Sequence, residues 1–241
     1  MKKKPLVSII IRTKNEQRYI GIVLDYLRQQ TFQDFEIVII DSGSTDKTLS
    51  IIKNYPIKLM KIKAKDYNPS YALNLAINKA KGKIMCIISA HSIPITDTWL
   101  EDGLENFKDK SVVGVAGNYS TIPIGYWNRK LGRIFFNAHH WKRMEYYNHI
   151  SNTNSLIKKS LWKKYPFDEK MNGSEDKDWS YEMLARGHNI IKDPKFNVFH
   201  SHIFLPERPS NRSRLGRWIR NDWIIKARKR PRKSFAKVKI D

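Results

Sequence analysis

An α/β domain with a mostly parallel central sheet, extended at its C-terminus by a basic amphipathic helix, is the fold class this sequence predicts. Three observations predict it. Short, near-continuous apolar runs recur through the first half of the chain, segments of helical spacing separate them, and abrupt polar stretches end several of the runs. Strands apolar on both faces belong to parallel sheets covered by helices on both sides.

The first run, Leu6-Val7-Ser8-Ile9-Ile10-Ile11, is too short for a buried helix and rich in β-branched residues, so it reads as a strand. Ile20, Val23, Leu24 and Leu27 then share one helix face. Phe35–Ile40 is a second strand, and Asp41-Ser42-Gly43-Ser44-Thr45-Asp46 a turn whose Ser and Asp suit the cap of a helix carrying Leu49, Ile51 and Ile52. Ile57–Ile62 reads as a third strand. Leu73, Ile77 and Ala80 predict a helix over 69–81, with Gly82 suited to its stop. Lys83–Ile88 reads as a fourth strand, 96–107 as a helix and Val112–Ala116 as a fifth strand. The aromatic stretch 119–150 reads as an insertion within one domain, either a covering helix or an acceptor-binding region.

Composition narrows the function classes. The 241 residues hold 45 Lys+Arg against 23 Asp+Glu, a formal charge of +22. A hydrophobic content of 41% excludes a disordered tail protein. The longest apolar runs, such as Ile84–Ile88, are about a quarter of a membrane span. The Met-Lys-Lys-Lys start leads into a strand-like run rather than a signal-peptide core, so a cytoplasmic location is expected. A single cysteine, Cys86, excludes an internal disulfide and a Cys-based zinc site. The charge itself leaves nucleic acid, an anionic membrane surface or a phosphorylated small molecule open as partners. It is unevenly spread: residues 207–241 carry 13 Lys/Arg and 3 Asp/Glu, which divides the chain into a body, 1–206, and a basic helical extension, 207–241.

Open α/β sheets bind ligands outside the carboxyl ends of their strands. That rule selects Arg12-Thr13-Lys14-Asn15-Glu16 after the first strand, Asp41-Ser42-Gly43-Ser44 after the second and Ser89-Ala90-His91-Ser92 after the fourth. Together with Glu175-Asp176 downstream, these segments resemble, in order and spacing over about residues 5–205, an inverting family 2 glycosyltransferase of the GT-A, Rossmann-like fold, of the bacterial polysaccharide or glycolipid type.

The resemblance implies a nucleotide pocket lined by Arg12, Thr13, Asn15 and Glu16, with Thr13 and Asn15 near base and ribose. Asp41 would accept a hydrogen bond from the imide N–H of uracil or thymine, a proton cytosine lacks. Ser42 and Ser44 would sit nearby, Asp46 would hold the turn, and Asn74 would face the donor. The donor would be a UDP- or dTDP-sugar and the acceptor a hydroxyl of a glycan or lipid-linked molecule. Asp176, with Glu175 as neighbour or alternative, would be the base that deprotonates this hydroxyl. Asn154 would line the acceptor side, and Trp179 would stack on a sugar or else fill the core.

One departure bears on the cofactor. The family's metal-binding Asp-x-Asp reads Ser89-Ala90-His91 here. Imidazole binds Mn, and carboxylate and water suit Mg better. His91, with His200 and His202 at the end of a late strand, would therefore hold a divalent metal, meet the diphosphate directly, or serve structure alone.

In the extension, Leu215, Trp218, Ile219 and Trp223 recur at helical spacing before the run Lys226–Lys233. A basic, tryptophan-bearing helix followed by a polybasic run reads as an interfacial element, so residues 212–233 are expected to hold the enzyme at the inner face of the cell membrane. The alternatives are a helix packed back on the domain or a nucleic-acid contact. For the whole chain, the competing functions are a non-catalytic nucleotide-binding homologue and a basic nucleic-acid-binding protein, the latter leaving the ordered acidic residues unexplained.

Overall fold

Residues 3–120, 149–200 and 211–232 are described by the structure, a computed structural model. In chain order the elements are β1 (Val7–Thr13), α1 (Ile20–Arg28), β2 (Phe35–Asp41), α2 (Thr48–Ile52), β3 (Lys58–Lys61), α3 (Pro69–Lys79), β4 (Ile84–Ser89), β5 (Ser92–Pro94), α4 (Trp99–Glu105), β6 (Val112–Ser120), β7 (Asn154–Lys158), α5 (Lys159–Lys164), α6 (Glu175–Ala185), β8 (Asn189–His200) and α7 (Asn211–Ala227).

The eight strands form one sheet in the order β3-β2-β1-β4-β7-β6-β8-β5. β1, β2, β3 and β4 pair in parallel, as do β6 and β8, while β7 and β5 run against their neighbours. Six strands thus share one direction, as the mostly parallel sheet requires. β5 lies in a segment read only as polar loop, because three residues give no periodicity.

Alternation along each strand fills two cores. Ile9, Ile11, Ile39, Cys86 and Ile88 face α1, whose Ile20, Val23, Leu24 and Leu27 are fully buried. Ile10, Val38, Ile40, Met85 and Ile87 face the other way, against Leu73, Ala76 and Ile77 of α3 and Trp179 and Met183 of α6. Each fully buried Leu or Ile stabilises the fold by about 1.5–3 kcal/mol.

Gly82 does not stop α3, which ends at Lys79 with Ala80 already extended. Its N–H donates to Ser8 Oγ at 2.8 Å, and a Cβ there would meet the Ser8 backbone nitrogen at 2.6 Å. Close approach to β1 therefore excludes a side chain at this position.

The basic extension folds back onto the domain. Asn221 and Ile225 of α7 are buried, and the chain beyond α7 runs along α6. Arg228 and Arg232 reach Asp168 and Asp178, and Arg230 and Arg232 reach Glu182, while Arg230 also pairs with Asp178. Asp178 and Glu182 are buried carboxylates of α6, so these three arginines neutralise them. Within the run 226–233, residues 228, 230 and 232 turn inward in this way because α6 carries acids on its inner face, the packing that the sequence admits as an alternative to a membrane contact. Among the described residues no helix is long and apolar enough to cross a membrane. Most of the aromatic stretch 119–150 lies outside the described residues.

Candidate active site

The parallel register brings three strand ends level. Thr13 pairs with Asp41, and Arg12 with Ser89. Above these ends opens a cavity of about 630 Å³, a size typical of small-molecule sites. Arg12, Thr13, Lys14 and Glu16 come to it from the end of β1 and the loop beyond, Ser42 from the turn after β2, Ser89 and His91 from β4 and beyond, and His200 from β8. Glu175 and Asp176 close the opposite side from the first turn of α6.

The two leading loops are laced together, which explains why so many polar residues occur there. Asn15 takes a left-handed φ of 56°, a conformation Asn tolerates. Its N–H donates to Ser44 Oγ at 2.9 Å and its Oδ1 accepts from the Thr45 N–H at 2.8 Å. The Gln17 and Thr48 N–H groups donate to Asp46, and the Glu16 N–H to Thr48 Oγ1 at 2.7 Å. The Asp41 carboxylate accepts from the N–H groups of Gly43 and Ser44 at 2.9 and 3.0 Å and from the Ser44 hydroxyl. Asn15, Asp41 and Ser44 are thus held in this lacing, next to Thr13, Lys14, Glu16 and Ser42, which line the cavity. Asp46 holds the turn, as expected.

Of the other expected site residues, two stand away from the cavity and one takes the second of its two expected roles. Asn74 is buried and fully engaged, donating to Phe167 O and Glu169 Oε1 and accepting from Trp162 Nε1 and the Phe167 N–H. It organises the segment after α5 and does not face the cavity. Asn154 is also buried, its amide donating to Asn118 O and Phe196 O, and Asn152 and Thr153 take the place at the wall. Trp179 has no exposed surface and donates from Nε1 to Tyr165 O, so it fills the core.

The carboxylate pair is tightly held. Glu175 Oε1 accepts from Arg12 Nη1 at 3.3 Å and from Asn152 Nδ2 at 2.9 Å. Asp176 accepts from the N–H groups of Asn152 and Lys177 at 3.0 and 2.8 Å. Burial pushes the Glu175 carboxyl above its ordinary range, with Arg12 opposing and Asp176 adding to the rise. Asp176 keeps an edge to solvent, yet loss of hydration raises it too, against the backbone N–H of Asn152. Groups so perturbed in a cavity are candidates for acid–base chemistry.

Across the cavity His91 Nδ1 lies 2.9 Å from Glu16 Oε1, and its ring stacks on His200 at 4.6 Å. His200 Nδ1 lies 2.8 Å from Ser92 Oγ. A cation here would need donors converging on one point. The imidazoles instead lie face to face, each with a nitrogen on a protein oxygen, and no group of three or more His, Cys, Asp or Glu among the described residues is disposed to hold a metal. The described donors thus do not fit a cage. His202 lies outside the described residues. Three buried polar atoms at the wall, Thr13 Oγ1, Glu16 Oε2 and Asn152 Oδ1, have no hydrogen-bond partner among the described residues, the condition expected of groups that meet a ligand or water.

Sequence reasoning missed Tyr67, Pro69, Gly173 and Ser174 in the wall. The strand-end rule, applied to β3 as well, finds Tyr67, since the loop after that strand leads to it.

A mostly parallel sheet with this cavity above its strand ends defines an open α/β fold of the class that binds ligands at the carboxyl ends of its strands. The sequence matches the model of the glycosyl transferase family 2 over residues 8–165, and the chain belongs to that family. An uncharacterized glycosyltransferase of Methanocaldococcus jannaschii is 25% identical over 88% of the chain and 75% of its own length. One from Haemophilus influenzae is 26% identical over 75% of the chain, which spans only 61% of that relative. Among solved structures, the mannosyltransferase PcManGT of Pyrobaculum calidifontis, in complex with GDP-Man and Mn2+, superposes with a TM-score of 0.70 at 20% identity, over 95% of this chain and 67% of that one. TarS 1–349 of Staphylococcus aureus, in complex with UDP-GlcNAc, gives a TM-score of 0.60 at 18% identity, over 86% and 60%.

Proposed function

We propose that the chain is an inverting glycosyltransferase that moves a sugar from a UDP- or dTDP-sugar to a hydroxyl of a glycan or lipid-linked acceptor. One observation carries the reading: Glu175 and Asp176 face the ends of β1, β2 and β4 across a single cavity, with their carboxyls raised by burial. In the proposed step Asp176 takes the proton of the acceptor hydroxyl as its oxygen bonds to the anomeric carbon. The bond from that carbon to the diphosphate breaks on the other face, and the nucleoside diphosphate leaves with the electron pair. General-base help of this kind contributes about 10²–10⁴-fold.

The base of the nucleotide belongs at the turn after β2. The Asp41 carboxylate spends three of roughly four acceptor positions on its own turn, and the fourth suits a ring imide. Its donors Gly43 and Ser44 fix its orientation for that purpose. Arg12, Lys14 and His91 supply donors for the diphosphate, and no step is assigned to a metal. On α7, Ile219 and Trp223 are 57% and 70% exposed and four residues apart, with Arg220 and Lys226 exposed beside them. This face, rather than the inward arginines, is the part of residues 212–233 proposed to meet an anionic membrane.

Thermal shift with UDP, dTDP, GDP and CDP, each with and without Mn2+, tests the reading. UDP or dTDP is expected to stabilise most, and no response to any nucleotide overturns the donor assignment. Retained transfer by Asp176→Asn, with the donor so identified, overturns the base.

A further inference from the structure

The loop ahead of α6 is strained where the proposed chemistry is placed. Gly173 has φ 104° and Ser174 φ 61°, two successive left-handed residues immediately before Glu175 and Asp176. Ser174 is not glycine, its side chain makes no capping hydrogen bond, and such conformations persist only where surrounding structure over-determines them. Among the described residues no strand pairs with Asn172 to Ser174 to do so. The support comes from α7. The buried Asn221 donates from Nδ2 to Asn172 O at 3.3 Å and to Gly173 O at 3.0 Å. One residue on, Asp222 pairs with Lys177 in the first turn of α6.

We propose that Asn221 is a positioning residue that holds the strained turn and so aims the Glu175–Asp176 pair into the cavity. The inference rests on the reading of that pair as the acceptor-side carboxylates. An amide that donates to two successive carbonyls fixes both peptide planes, and with them the direction in which α6 begins. The C-terminal helix thereby becomes part of the catalytic architecture, although none of its described residues lines the cavity. A misplacement of the base by about 1 Å costs on the order of 100-fold in rate.

The test compares Asn221→Ala and Asn221→Asp with the wild type in the full chain. Release of UDP is followed with UDP-glucose, UDP-galactose and UDP-N-acetylglucosamine as donors, by transfer or by slow donor hydrolysis. UDP affinity is measured by calorimetry, and hydrogen exchange is followed in peptides covering 170–178. The proposal expects kcat to fall about 10- to 100-fold with donor KM and UDP affinity changed less than about twofold, and faster exchange in 172–176. Asp, which sets an acceptor against two carbonyls, is expected to be worse than Ala, whereas a space-filling role makes the isosteric Asp the milder change. Unchanged kcat, unchanged exchange at 172–176, or a parallel loss of kcat and UDP affinity overturns it. If Asn221→Asp fails to fold, Asn221→Ala alone decides by the same measurements. Asp176→Asn separates the two readings: if it stays active the base assignment fails, and if it is inactive while Asn221→Ala is fully active only the positioning role fails.

Discussion

Arg12 Nη1 stands 3.3 Å from Glu175 Oε1, joining the end of the first strand to the start of a helix 163 residues later. The same guanidinium nitrogen donates to Pro69 O at 3.4 Å, so one side chain ties β1, the start of α3 and α6 around the cavity. Arg12 also opposes the rise of the Glu175 carboxyl. Arg12→Met removes that opposition, so a larger fraction of Glu175 holds its proton at a given pH. We expect the acid limb of the turnover–pH profile to move to higher pH and kcat at neutral pH to fall about 10- to 100-fold. Arg12→Lys keeps a charge but not the fork and should lie between. An unmoved acid limb in Arg12→Met separates the pair from catalysis.

Asp176 and Glu175 are expected to be active-site groups that cost stability. Both folded-state carboxyls are raised, through burial first. As pH rises, the unfolded chain loses these protons at the ordinary carboxylate pKa of about 4 while the folded chain still holds them, so stability falls from there up to the raised values. At neutral pH the charges are therefore a net cost. Asp176→Asn should raise the melting temperature at pH 7, converge on the wild type near pH 4 and lower transfer about 10²–10⁴-fold. A lower melting temperature at pH 7 contradicts this balance.

The parts of this architecture legible in the sequence are those fixed by local pattern. β1, β2 and β4 read as apolar runs because both faces are buried, and the polar segments that end them line the cavity through Arg12, Thr13, Glu16, Ser42 and His91. The family likeness adds Glu175 and Asp176. What sequence could not tell was which polar residue of a segment faces the ligand and which ties the segment down. Asn15 and Ser44 tie the two loops together, Asp41 anchors its own turn while keeping one acceptor position, and Asn74 and Asn154 serve buried groups. A residue's type is the same in either role, and only the backbone direction at each loop decides. The tail illustrates the point again: sequence leaves a membrane contact and packing on the domain both open for the basic residues at 228, 230 and 232, and the position of Asp178 and Glu182 on α6 beneath them turns these three inward.

The two sides of the extension should separate by experiment. Glu182 is fully buried and accepts from Arg186, Arg230 and Arg232. Glu182→Gln leaves these arginines with less than their full countercharge and should cost about 3 kcal/mol, seen as a lower urea midpoint. Ile219→Ser with Trp223→Ser changes only exposed positions and should leave the midpoint unchanged. Sedimentation with vesicles rich in phosphatidylserine should fall in the second variant. Equal sedimentation of wild type and the double variant removes this face from membrane binding.

His91 tests how the diphosphate is held. Its ring is fixed by Glu16 at 2.9 Å on one side and by the stacked His200 on another, an orientation set before any ligand arrives. A pre-set donor loses little entropy on binding, so its removal should be felt in affinity for the group it faces. His91→Ala should weaken UDP about tenfold, equivalent to about 1.4 kcal/mol, while uridine, which lacks the phosphates, changes less than twofold. Glu16→Gln keeps a hydrogen-bonding partner for the ring and should retain more UDP affinity than His91→Ala. Calorimetry with UDP, UMP and uridine reads the difference directly. Because the described donors do not converge on one point, adding Mn2+ should move wild-type UDP affinity less than about threefold. Equal loss of UDP and uridine places His91 at the base or in the fold, and a large gain with Mn2+ assigns the phosphates to a cation.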